Sequence, residues 1–145
     1  MVNTRLGSLS QRLSASVGER RVNTDLAGDR SAGTATPRAD DIEVKTPWLE
    51  IDDVFYEARG AAWALTHFLR AAEYDFDKVL EDKNARVSLR QIIRELEASL
   101  APMRSPIVLN GTGFGVTANH SLVMASYLSR ANSAVIDLRA LLDQG

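Results

Sequence analysis

The chain has 145 residues, enough for one compact domain with a real core and too few for two. Hydrophobic residues make up 45% and charged residues 25%, and the formal net charge of -2 gives no field that would draw nucleic acid or an acidic membrane surface. With no cysteine there are no disulfides, no thiolate metal site and no cysteine nucleophile.

Residues 1–21 carry no apolar run of the kind a signal peptide needs, and nowhere is there an apolar stretch of about 18 residues that would span a membrane. Residues 1–20 instead place Val2, Leu6, Leu9, Leu13 and Val17 three or four apart, a narrow apolar stripe on a helix that resembles a coiled-coil seam. The stripe starts without an N-cap signal, so this segment is expected to be the end of a longer helix, an N-terminal extension of the folded part. Residues 21–46 lose the period and fill with Gly, Ser, Thr, Asp and Pro. A segment of that composition buries too little apolar surface to offset ordering entropy, and is expected to be a largely disordered linker.

Residues 47–145 are expected to form the folded domain. Ile51, Val54, Phe55, Ala58, Ala62, Leu65, Leu69 and Ala72 share one face of a first long helix. Asp52 and Asp53 suit its first turn, and Trp48 and Leu49 can cover its start as a hydrophobic staple. "DFDKVLEDKN" reads as a short helix with Asp75 as candidate cap. Leu89, Ile92, Ile93, Leu96 and Leu100 mark another helix, starting either at a Ser88–Gln91 capping box or already from Asn84, and stopped by Pro102 and Pro106. A final helix, capped by Thr117 or Asn119, carries Val123, Tyr127, Ala131, Ala134, Val135, Leu138, Leu141 and Leu142 on one face. No convincing strand pattern occurs. The expected fold is all-α: a small bundle of three main helices plus the helical extension.

The stretch "LNGTGFGVTANHS" is the one place that looks equipped for chemistry. Its G-x-G-x-G spacing is not the G-x-G-x-x-G of a dinucleotide fold, and no strand order surrounds it. Glycines that tolerate positive φ suit a sharp turn between two helices, and that is the reading preferred here. The competing reading is a small-ligand or anion site, possibly hydrolytic, lined by Asn110, Gly111, Gly113, Gly115, Asn119 and His120 at a helix N-terminus. His67 and His120 have no metal-ligand spacing, so no metal is expected. No partner nucleophile is identifiable for His120, so no catalytic residue is assigned, and no cofactor is expected. Asp53 and Glu57 share a helix face but read as a solvated first turn.

Arg86, Arg90 and Arg94 form a basic stripe without interleaved aromatics, a weak nucleic-acid signal. The acids near Glu50, Asp53 and Glu57 are its expected partners, within the chain or across a dimer. Gly60 costs about 1 kcal/mol in a helix interior, and close approach of another helix at Gly60 and Ala64 would offset it, within the fold or in an oligomer.

"PWLEIDDVFYEARGAAWAL", "NARVSLRQIIRELE" and "SPIVLNGTGFGVTANHSLVMASYLSRANSAVIDLR" resemble the C-terminal region of an uncharacterised bacterial family, domain of unknown function 2333. The likeness extends to "LGSLSQRLSASVG" and so spans nearly the whole chain. It implies a longer protein held in the inner membrane by an N-terminal anchor this chain lacks, with this part in the periplasm. It attaches no activity and no catalytic residues. The resulting expectation is a non-enzymatic interaction or scaffold module of the cell envelope, with a protein partner or self-association, no nucleic acid, and membrane contact only through that anchor.

Overall fold

The computed structural model describes residues 1–22, 41–112 and 116–144. Five α-helices carry the fold: α1 (Val2–Ser14), α2 (Ile51–Asp75), α3 (Asp77–Asp82), α4 (Arg86–Ser99) and α5 (His120–Asp143). The all-α expectation stands for the core, which is built from helices alone.

The stripe on α1 does not stand off as an extension. Leu6, Leu9 and Leu13 are almost fully buried and join the same core as Ile51, Phe55, Ile92, Leu96 and Leu128. Four helices therefore share the core, α1, α2, α4 and α5, where three were expected. Only the ends of the stripe, Val2 and Val17, are exposed. An amphipathic helix of this length is marginal alone, and burial of its leucines is what stabilises it. Two polar ties reinforce the packing: Ser10 Oγ donates to the Ala125 carbonyl at 3.1 Å, and the exposed Arg5 and Arg12 both grip Glu57 of α2, at 2.9 and 2.8 Å.

The expected linker is partly ordered. Residues 23–40 lie outside the described residues, but its flanks pair as an antiparallel ribbon, β1 (Glu19–Val22) with β2 (Asp41–Val44). The chain leaves this ribbon at Thr46, whose N–H donates to the Ala15 carbonyl at 3.0 Å. Its hydroxyl donates to the Arg12 carbonyl at 2.6 Å. The first joins the Gly18 N–H on the Ala15 carbonyl, and the second takes up the Arg12 carbonyl in the last turn of α1.

On α2, Ile51, Val54, Phe55, Ala58 and Ala62 are buried as the period predicts, with Leu65 and Leu69 packed at the margin. Trp48 and Leu49 do not staple its start. They sit in a 3-10 turn, 79% and 82% exposed. Asp75 is not a cap either, because α2 runs through it and α3 follows Phe76 without a side-chain cap.

The turn into α4 explains why neither expected start is used. Asn84 takes φ 50, the left-handed conformation. Asn84 N–H then bonds the Glu81 carbonyl and Ala85 N–H the Leu80 carbonyl, at 2.9 and 2.8 Å. That is a Schellman ending for α3, with its usual apolar contact supplied by Leu80 and Ala85 in one small cluster. α4 begins immediately after, at Arg86, and the Ser88 capping box is not formed.

α5 packs along both α1 and α4. Its buried residues are Ser121, Met124, Ala125, Leu128, Ala131 and Ala134. In the N-terminal half this face is rotated from the expected one, and Val123 is exposed. A helix between two neighbours is apolar on more than one side, so its period has no single phase to read.

Candidate functional site

The glycine loop closes on itself. Gly111 N–H bonds the Ala118 carbonyl at 3.1 Å and His120 N–H the Leu109 carbonyl at 2.7 Å, framing an isolated antiparallel bridge between Asn110 and Asn119. Asn119, one of the two expected caps, is the N-cap of α5. Its Oδ1 accepts from Leu122 N–H at 2.8 Å, and its Nδ2 donates back across the loop to the Gly111 carbonyl. Ser121, fully buried, donates its hydroxyl to Asn110 Oδ1 at 2.6 Å. His120 Nδ1 accepts the Leu109 N–H at 2.9 Å. The proton of the neutral imidazole therefore sits on Nε2.

Asn110, Gly111, Asn119 and His120 are thus brought together, and the bonds they make join the loop to the start of α5. Gly113 and Gly115 lie outside the described residues. The reason expected for the glycines also changes at Gly111. Among the described glycines only Gly18 has positive φ. A Cβ on Gly111 would instead overlap the Thr117 hydroxyl and carbonyl oxygens. Close approach, not φ, is what requires glycine there.

Beside the loop lies a feature the sequence did not disclose. An open groove of about 380 Å3 is walled by Phe55 and Arg59 of α2, Met103 and Arg104 after α4, and Tyr127 of α5, with His120 at its edge. Arg59 donates to the Leu100 carbonyl at 2.8 Å and to the Ala101 carbonyl at 3.2 Å. A guanidinium there both satisfies orphan carbonyls and complements the negative end of the α4 dipole. No signal short of the tertiary structure links Arg59 to residues some 40 positions on.

The arginine stripe finds partners other than those expected. Arg86 pairs with Asp77 at 2.5 Å and Arg90 with Glu73 at 2.5 Å. Glu97 of the same helix pairs with Arg70 of α2. Glu57, expected to meet this stripe, is held by Arg5 and Arg12 instead. These pairs are largely solvent-exposed, and each contributes roughly 0–1 kcal/mol.

α2 presents an apolar outer face. From Gly60 to Leu69 it has no charged residue. Tyr56 and Trp63 are more than half exposed, Phe68 is 66% and Tyr74 86% exposed. His67 stacks against Trp63 at 4.3 Å and donates from Nδ1 to the Trp63 carbonyl at 2.8 Å. Gly60 does not serve the close approach expected within the fold, since nothing lies within 4 Å of a Cβ built there. Ala64 is exposed beside it.

No helix among the described residues is long and apolar enough to cross a membrane. A family model described as "Uncharacterized protein conserved in bacteria (DUF2333)" matches residues 1–145. No curated protein and no solved structure matches the chain.

Proposed function

Because the chain belongs to the DUF2333 family of uncharacterised bacterial proteins, which brings no activity with it, we propose a function from the surface it presents: a non-enzymatic helical interaction module that pairs with a second copy of itself through the outer face of α2. The observation that carries this reading is the exposed stripe Tyr56, Gly60, Trp63, His67 and Tyr74. Its spacing of four, three, four and seven is that of a coiled-coil seam. A soluble helix normally turns such a seam inward, and this one already buries its opposite face.

Size and charge favour a second copy. Aromatic side chains offer roughly 150–250 Å2 each, so the three exposed rings of the stripe supply on the order of 500 Å2 per chain. With Gly60, Ala64 and Ala71 alongside, the face approaches the roughly 800 Å2 per partner of a standard interface. Asp52 and Arg70 lie about five turns apart on one edge of α2. An antiparallel pair with its twofold axis near Ala61 sets the Asp52 of each copy against the Arg70 of the other, where it joins Glu97 on the same guanidinium. Gly60 then falls where the helices come closest, which is the use its missing side chain otherwise lacks.

Sedimentation equilibrium of the wild-type chain shows a dimer at tens of micromolar on this reading, and Trp63→Glu is monomeric with unchanged far-UV circular dichroism. Gly60→Ala separates fold from interface: it stabilises the monomer by about 0.5–1 kcal/mol while weakening the dimer. A wild-type chain that stays monomeric at about ten times that concentration ends the proposal.

The cell envelope belongs to the same reading, on the strength of the resemblance. Fractionation of bacteria carrying the full-length protein finds it with the inner membrane. Recovery in the soluble cytoplasmic fraction would contradict that placement.

A further inference from the structure

The groove beside His120 is separate from the outer face of α2, and its chemistry is different. Its wall is apolar, with Phe55 and Met124 both buried in the core. Its polar complement is cationic and donating: the Arg59 and Arg104 guanidiniums, the His120 imidazole and the Tyr127 phenol. No aspartate or glutamate lines it. Among the described residues neither arginine is in an ion pair. Arg59 is partly buried and, among the described residues, bonds only main-chain carbonyls, leaving N–H groups beyond those bonds. His120 has its Nδ1 committed to the Leu109 N–H, so its remaining ring nitrogen is a donor.

Two guanidiniums without a carboxylate, next to an apolar surface, form a site for an anion carrying an apolar body. The guanidinium fork matches a carboxylate in shape as well as charge. The volume, about 380 Å3, lies at the small end of the range for small-molecule sites. We propose that this groove binds a small organic carboxylate with an aliphatic or aromatic body, its acid group held between Arg59 and Arg104 and its body laid along Met103 and Val123, over a floor formed by the buried Phe55 and Met124. The site does not depend on dimerisation, so either proposal can fail alone.

Decanoate, kept below its micellar concentration, is the probe, and decanol is its neutral counterpart; both are titrated into the full chain by calorimetry. Decanoate binds one site saturably, and decanol binds about tenfold more weakly, the worth of one charge-assisted contact. Arg104→Gln, at an exposed position, lowers decanoate affinity about tenfold and leaves decanol and the melting temperature unchanged. Ala98→Trp fills the groove from an exposed wall position and abolishes binding of both. No binding of decanoate, equal affinity for decanol, or an unaffected Ala98→Trp variant each overturns the assignment.

Discussion

Leu9→Ala is expected to destabilise the chain by about 3 kcal/mol, the middle of the range for leucine truncation in a close-packed core. Leu9 is 1% exposed and lies among leucines of α1 that pack with α2, α4 and α5 in one cluster. The lost methyl groups forfeit their transfer free energy, and the space they leave does not close because α5 is held from the other side by α4. Urea denaturation followed by circular dichroism measures the effect. It shifts the midpoint by more than about 1 M, since unfolding slopes for small proteins are roughly 1–3 kcal/mol per molar. Val2→Ala, on the same stripe but 43% exposed, changes stability by less than about 0.5 kcal/mol. Equal, small effects for both variants would mean that α1 is detachable after all.

Gly111→Ala is expected to cost about 1–3 kcal/mol, the range for forced overpacking. The new methyl group meets both the side chain and the carbonyl of Thr117. The Thr117 carbonyl lies one peptide before the Ala118 carbonyl that accepts the Gly111 N–H, so swinging it aside strains the bond that closes the loop. The double variant Gly111→Ala, Thr117→Ala separates the two overlaps. Removing the hydroxyl leaves the main-chain overlap, so stability recovers only in part. The same urea titration decides it: full recovery in the double variant would show that only the Thr117 side chain demands glycine, and that the loop backbone is free to shift.

How much of this was legible beforehand depends on the range of the interaction involved. The leucines and isoleucines of α4 are buried as their spacing implied, and Asn119 caps α5 as its residue type implied. Both are local signals, set within one or two turns of the chain. The Schellman turn at Asn84 was also local, but Ser88 offered a competing start, and the left-handed conformation that decided between them is not visible in residue spacing. The candidate site divides in the same way. Asn119 and His120 were recognisable by residue type at a helix start, and Asn110 by its place just before the glycines. The groove was not, because its arginines come from positions 59 and 104 and meet only when α2 lies against the end of α4.

The amino-acid sequence by itself determined the helical class, the apolar faces of α2 and α4 and the absence of any cysteine chemistry, and narrowed the cap of α5 to two residues. The tertiary structure alone decided which seams turn inward, so that α1 enters the core while Trp63 faces out. It also decided which acids meet which arginines, bringing Glu57 to Arg5 and Arg12 rather than to α4. The reason is physical: periodicity records that a face is apolar, but burial is settled by competition among all such faces for a core that has room for only some of them.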